Sequence, residues 1–267
     1  MDLKPFVTAA ACGILLIQAG CAAMRPAPEP LPGLSDPAAY VQAALTRPNC
    51  PGLSGIARIA ISTAGSSRSY KTVFACRYPD VLRIEVLGLF NQPGLYMSVQ
   101  SGRNMTLYVP SENTWYTGPA TPESMQHISG IRMDPFDIAR LVHGHPPGPD
   151  PATSAVSCAQ DGDSYACTVR RGAITQRLLI NPLSKNITRS QLYEYGLLVY
   201  DIDFQRSRQQ GASPVSESIR IQYARYGATI EMRLQDVSCV QLTAAQLALK
   251  PPEGTPVLPI DALGTNN

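Results

Sequence analysis

Residues 228–235, A-T-I-E-M-R-L-Q, decide the fold class. Ala228, Ile230, Met232 and Leu234 fall on one side of an extended chain, and Thr229, Glu231, Arg233 and Gln235 on the other. Successive side chains of a strand point to opposite sides of the pleat, so this period of two predicts a strand with one dry and one wet face. Working outward, the pattern recurs in Ala57, Ile59 and Ile61 and in Tyr70, Thr72, Phe74 and Cys76. Leu82, Ile84 and Val86 oppose Arg83 and Glu85. Leu95, Met97 and Val99 lead across Gly102 to Met105, Leu107 and Val109. Further strands are predicted at 154–160, 164–170, 173–181, 186–195, 197–206 and 217–224. A dozen or so strands with short turns imply an antiparallel meander curled into a full or partial barrel.

Helices are few and share one start signal. In "SDPAAYVQAAL", "ATPESMQHIS" and "MDPFDIARLVHG", Asp36, Thr121 and Asp134 precede Pro37, Pro122 and Pro135. Asp or Thr can cap the free N–H groups of a first turn. Proline tolerates that turn because its missing N–H has no partner there anyway. Gly144 suits the end of the third helix, and a fourth short one is expected from Thr243, stopping at Pro251. Two of the helices interrupt the meander, with about five strands before them and seven after. A curled sheet has an apolar concave face that something must cover. These helices and the N-terminal one are the available lid, over either a solid core or an apolar cavity.

The start, "MDLKPFVTAAACGILLIQAGCAAM", carries one Lys and an apolar run from Phe6 to Ile17. That run is shorter than the ~20 residues a membrane-spanning helix needs, and small residues follow it, as in a secretory signal over 1–20. Ala19-Gly20-Cys21 resembles the bacterial lipobox, in which the Cys carries acyl chains such as palmitate. Cys21 is therefore the expected lipidation site. Ala22 after it resembles lipoproteins of the outer membrane. The alternative is ordinary cleavage near Ala23, giving a soluble periplasmic protein. Residues 21–35 hold alternating prolines and read as an extended tether. The folded domain is expected over 36–260, with a tail at 261–267.

Of seven Cys, Cys12 and Cys21 belong to the start of the chain, which leaves Cys50, Cys76, Cys158, Cys167 and Cys239. Export implies an oxidising compartment, where disulfides persist. In "CAQDGDSYAC", a two-residue turn at Gly162-Asp163 puts Asp161 opposite Ser164. Counting outward then puts Cys158 opposite Cys167 in a non-hydrogen-bonded pair, ~4.5 Å between Cα atoms. A disulfide accepts ~4.4–6.8 Å. At most one further pair forms among the other three, and spacing does not choose it.

Chemistry has little support. The formal net charge is +2 with Lys and Arg scattered, which leaves no nucleic-acid footprint. His143 and His145 sit where a helix ends, with no acidic or Cys cluster beside them, and read as structural rather than as metal ligands. His127 has the same reading. Asp201 and Asp203 share one strand face and read as solvent-facing, opposite Tyr200, Ile202 and Phe204. Trp115-Tyr116 reads as a partly buried edge pair. No catalytic residue, metal or cofactor is expected, apart from the covalent N-terminal lipid, so the chain is not expected to be an enzyme.

Between two predicted strands lies "VLGLFNQPGLY", residues 86–96. Asn91, Pro93 and Gly94 spell a turn, yet Leu89 and Phe90 place two large apolar side chains in it, where turns are normally polar. Together with the lipobox and tether, "GIARIAI…YKTVFACRYPDVLRIEVLGLFNQPG…GRNMTLYVP" and "RLLINPLSKNITRSQLYEY…VYDIDFQ…SESIRIQY…TIEMRLQDVSC…LKPPEGTPVLPID" resemble the LolA/LolB-like lipoprotein-carrier superfamily. The resemblance covers about residues 36–260, through the order of strands and turns. It implies a mainly β fold: an unclosed antiparallel half-barrel of about 11–12 strands with an α-helical lid over an apolar cavity for acyl chains. It places Leu89, with Phe90 beside it, in the loop that meets membrane or acyl chains, although Leu89 follows Gly88 without the family's Pro. Arg58, Phe74, Leu82, Ile84, Met97, Phe136, Ile138 and Leu141 are the candidate cavity and lid residues.

The function so implied is lipoprotein localisation or transfer by an outer-membrane-anchored, periplasm-facing lipoprotein. Its expected partners are lipoprotein acyl chains or lipids, the inner leaflet of the outer membrane, and a periplasmic carrier protein. The rival reading is a non-enzymatic envelope scaffold of the same fold with a filled core.

Overall fold

The computed structural model describes residues 29–45, 50–210 and 213–263. The apolar start and Cys21 lie outside the described residues. The chain divides into Met1–Leu31 and Pro32–Asn267, and the sheet belongs to the second unit. In chain order its strands are β1 (Gly52–Thr63), β2 (Ser66–Arg77), β3 (Val81–Leu87), β4 (Pro93–Gln100), β5 (Asn104–Val109) and β6 (Thr114–Pro119). After the helical insertion come β7 (Ala155–Asp161), β8 (Ser164–Arg171), β9 (Ile174–Ile180), β10 (Ile187–Glu194), β11 (Leu197–Gln210), β12 (Ser213–Tyr223), β13 (Ala228–Cys239) and β14 (Val257–Pro259).

They form one 14-stranded sheet in the order β14-β6-β5-β4-β3-β2-β1-β13-β12-β11-β10-β9-β8-β7. It is an antiparallel meander joined where β1 pairs with β13. Among the described residues, the one parallel pair is β14 with β6. The sheet does not close: β14 and β7 are its edges. Sequence alternation expects two strands fewer or so. The additions are β6, whose Trp115 and Tyr116 are buried and flanked by β14 rather than being a partly buried edge pair, and β14, whose three residues are too short to show a period.

The registers stack apolar residues into rows. Gly55, Phe74, Ile84, Met97, Leu107 and Tyr116 stand side by side across β1–β6. Beside them run Leu53, Cys76, Leu82, Val99, Met105 and Gly118. In the other half, Ile230, Ile221, Ile202, Ser190, Leu178 and Cys167 form one row. Each large side chain buried this way contributes ~1.5–3 kcal/mol, so these rows are the core.

The helices are α1 (Pro37–Ala44), α2 (Pro122–Ser129), α3 (Pro135–Val142) and α4 (Ala244–Leu247). Asp36, Thr121 and Asp134 accept from the N–H groups of Ala39, Ser124 and Phe136, each ahead of a first-turn proline. Thr243 and Gln246 form a reciprocal capping box on α4. α3 packs against both β3 and β12, which three strands separate. An eight-residue helix is only ~12 Å long, and reaches both only by lying inside the curl of the sheet. α4 is different: Ser98, on the face opposite the rows, donates to the Leu247 carbonyl at 2.8 Å, so α4 covers part of the convex side.

Among the described residues there are two disulfides. Cys158 and Cys167 face each other across the β7–β8 hairpin with Asp161 opposite Ser164, S–S 2.02 Å and Cα–Cα 4.0 Å. Cys50 bonds Cys239, S–S 2.07 Å, and Cys76 is a buried free thiol.

Candidate functional site

An antiparallel meander sends alternate turns to opposite ends. The turns at 64–65, 88–92, 110–113, 172–173, 195–196 and 224–227 share one end of the sheet; those at 78–80, 101–103, 162–163 and 181–186 share the other. In the half formed by β1–β5, burial of the concave face changes steadily between them. At the end marked by Tyr78, the row of Leu53, Cys76, Leu82, Val99 and Met105 is sealed from solvent. The next row, with Phe74, Ile84, Met97 and Leu107, is also buried beneath the lid. Closer to the 88–92 turn, Ile59, Ile61, Tyr70, Val86 and Leu95 are only half-buried. Along β1–β4 the trough is filled at one end and uncovered at the other, while in the second half Tyr200, Gln176, Val169 and Ala228 stay buried towards that same end.

The 88–92 turn rises at that uncovered end. Gly88 N–H donates to the Gln92 carbonyl at 2.8 Å and Asn91 N–H to the Gly88 carbonyl at 3.2 Å. Lys71 Nζ of β2 donates to Asn91 Oδ1 at 3.0 Å. Phe90 at the tip is 97% exposed and has φ 63°, ψ 18°, a left-handed conformation that is uncommon for a bulky residue. A large apolar side chain is thus held in water on strained backbone, where glycine or asparagine would serve the turn better. The Leu89 side chain lies outside the described part of the structure.

The sealed part is closed by more than helices. After α3, residues 145–150 run as a proline-rich strap over the inner face of the second half. Gln176 Nε2 donates to the Pro147 carbonyl and to Ser190 Oγ, each at 2.9 Å. Tyr200 also donates to the Pro147 carbonyl. Nearby, burial, and then the charge of Asp134, push the Asp137 carboxyl up to about 7, against Arg140 and Arg103. Burial and Asp137 in turn raise the phenols of Tyr200 and Tyr223. At the strap's start His143 and His145 pack edge-on against Tyr78, with ring centroids 5.4 and 5.1 Å away. Burial pushes His145 down to about 4. His143 Nδ1 donates to the Ala139 carbonyl at 2.7 Å, a packing role.

Among the residues singled out from sequence, Phe74, Leu82, Ile84, Met97, Phe136 and Leu141 are buried together between sheet and lid, and Ile138 is half-buried. Arg58 is a correction. It is exposed and stands opposite Arg233 on the convex face, because Ala57, Ile59 and Ile61 take the concave one. Asp201 is buried and not free: Arg189 Nε and Nη2 donate to it at 2.9 and 2.5 Å and Gln191 at 2.8 Å. Burial alone would raise its pKa, yet these bonds hold it low. The alternating pattern contained Ile59, Tyr70, Val86 and Leu95, but their half-exposure depends on where the lid stops.

No family model matches the chain, and no curated protein sequence does. Solved structures do match. A DUF1329 family protein from Desulfovibrio piger has a TM-score of 0.61 at 14% identity, over 80% of this chain and 98% of that one. A LolA superfamily protein from Nitrosomonas europaea has 0.58 at 10% identity, over 81% and 99%. A putative outer membrane lipoprotein-sorting protein domain from Vibrio parahaemolyticus has 0.55 at 10% identity, over 75% and 90%. The likeness is one of fold and covers 90–99% of those chains: the open 14-stranded sheet with its short helices is a LolA/LolB-like fold.

Proposed function

We propose that this protein is a non-enzymatic, carrier-type lipoprotein of the bacterial envelope. It takes acyl chains of lipoproteins or lipids at the uncovered end of its trough. Cys21 carries the lipid that anchors it to the periplasmic side of the outer membrane, and cargo arrives from a periplasmic carrier. The observation that carries the reading is the coincidence of Phe90, exposed on a left-handed turn, with the half-buried Ile59, Ile61, Tyr70, Val86 and Leu95 at the same end. Uncovered apolar surface of this kind marks a place for a partner. The lipoprotein-sorting and LolA-superfamily neighbours support it through fold likeness. Transfer needs no covalent step, since hydrocarbon moves to whichever site removes more of it from water.

The sealed rows around Leu82, Val99 and Met105 favour one rival, an envelope scaffold of the same fold. Native mass spectrometry with a triacylated lipopeptide separates the two. The carrier forms a 1:1 complex, and Val86→Asp or Leu95→Asp abolishes it without unfolding the chain. A folded chain that takes up no lipopeptide is the scaffold.

A further inference from the structure

Phe90 is not alone at its end of the sheet. The β10–β11 turn presents Tyr195, 81% exposed, and Leu197, 75% exposed; the β12–β13 turn presents Tyr226, 45% exposed. Both turns lie on the same end as 88–92, but in the opposite half of the sheet, the β12–β13 turn across β2 and β1 and the β10–β11 turn across β2, β1, β13 and β12. Exposed Arg170 and Arg171 sit at the β8–β9 turn and exposed Arg225 beside Tyr226. Arg68 and Lys71 stand near the start of β2, also exposed. The acidic residues at this end are Glu112, which accepts from the Tyr116 hydroxyl at 2.7 Å, Glu194, and Glu231, which lies 3.6 Å from Arg220.

The other end has a different balance. Among the described residues its turns carry Leu183 exposed, and there Arg77, Arg103 and Lys185 meet Asp80, Asp161 and Asp163. Arg103 is bridged to Asp134 at 3.1 Å, and Asp161 to Arg177 at 2.8 Å. Among the described residues, exposed aromatic tips with excess positive charge therefore mark the end that carries Phe90. Tyrosine has an apolar ring and a polar hydroxyl, which suits the boundary between headgroups and hydrocarbon. Arginine beside it matches anionic headgroups.

We infer that the hairpin tips Tyr195–Leu197 and Arg225–Tyr226, with Arg170 and Arg171, form a docking surface for an anionic lipid bilayer. This surface would meet the membrane at a second point besides Phe90. It orients the uncovered end of the trough towards the bilayer and so deepens the carrier reading, on which its purpose rests.

The test is flotation of the full chain carrying Cys21→Ser, so that no N-terminal acyl group contributes. The vesicles are phosphatidylcholine alone, or an equal mixture with phosphatidylglycerol. The chain should float with the mixed vesicles. Tyr195→Ser with Leu197→Ser should weaken this by about tenfold or more, and Tyr226→Ser by less. Replacing Arg170, Arg171 and Arg225 by Gln should lower binding about fivefold per charge and remove the preference for anionic vesicles. Melting temperature and lipopeptide uptake should stay unchanged in all three. Wild-type flotation of the Tyr195/Leu197 variant, or an anionic preference that survives the arginine changes, overturns the proposal. A chain that floats as expected but takes up no lipopeptide refutes the carrier reading and leaves this surface standing.

Discussion

A Cβ built on Gly148 would stand 2.0 Å from Oε1 of Gln176. The strap's backbone therefore lies directly on a buried side chain that is itself fixed by hydrogen bonds to Pro147 and Ser190. Gln176 cannot swing aside without breaking those bonds inside the protein. The contact explains how the second half of the concave face is closed without a long helix.

Gly148→Ala should lower stability by about 2–3 kcal/mol, from overpacking and lost buried hydrogen bonds. Urea unfolding measures it. Gly65→Ala is the control, since nothing lies within 4 Å of its built Cβ, and should be near neutral. Equal effects at the two positions would show that the strap is not pinned.

Phe90 should behave in the opposite way. It touches little and sits at φ 63°, where a non-glycine residue costs ~1–2 kcal/mol. Phe90→Gly should leave stability unchanged or raise it by up to ~1 kcal/mol, while vesicle binding falls. A melting temperature that drops sharply would make Phe90 a packing residue.

The fold was legible wherever the signal is local. Asp36, Thr121 and Asp134 cap the residues just after them, and Cys158 meets Cys167 because a two-residue turn fixes register. The alternation of Ala57, Ile59 and Ile61 already turned Arg58 outward, against its place among the candidate cavity residues. What stayed hidden depends on partners far along the chain. The strap at 145–150 shows only prolines, because Gln176 and Tyr200 hold it. The choice of Cys239 over Cys76 for Cys50 is equally tertiary: both flank Leu53, on neighbouring strands. At the candidate site, the apolar turn was visible, but the half-exposed residues behind it were not, since burial there is set by the lid's edge.

The two disulfides should differ in worth. Their sequence separations are 9 and 189 residues, and closing a longer loop removes more entropy from the unfolded chain. The chain-entropy relation gives about 3 kcal/mol for Cys158–Cys167 and about 5 kcal/mol for Cys50–Cys239. Unfolding of the two paired Cys→Ser variants measures the order. A reversed order would mean that the long-range bond tethers segments already held together.

Stability against pH should show two opposed contributions. Asp137 is raised from 3.8 to about 7, so the folded state holds its proton more tightly than the unfolded state. Its contribution is full below about 3.8 and lost as pH rises towards 7. His145 is lowered from 6.5 to about 4. Its contribution is present above 6.5 and lost as pH falls towards 4. Asp137→Asn should therefore raise stability at pH 7 by a few kcal/mol at most and steepen the loss on acidification between 6.5 and 4. Denaturant midpoints across that range check it, and an unaltered profile would place Asp137 in solvent.

The central claim is that acyl chains enter the trough at its uncovered end, and site-directed photocrosslinking tests it most directly. A photoreactive phenylalanine analogue at Tyr70 faces the concave side; at Val73, on the same strand, it faces the convex side. With a triacylated lipopeptide, the account predicts adducts on the acyl chains from position 70 and none from 73. Equal labelling at the two positions, or none at 70 under conditions where the lipopeptide is bound, would contradict it.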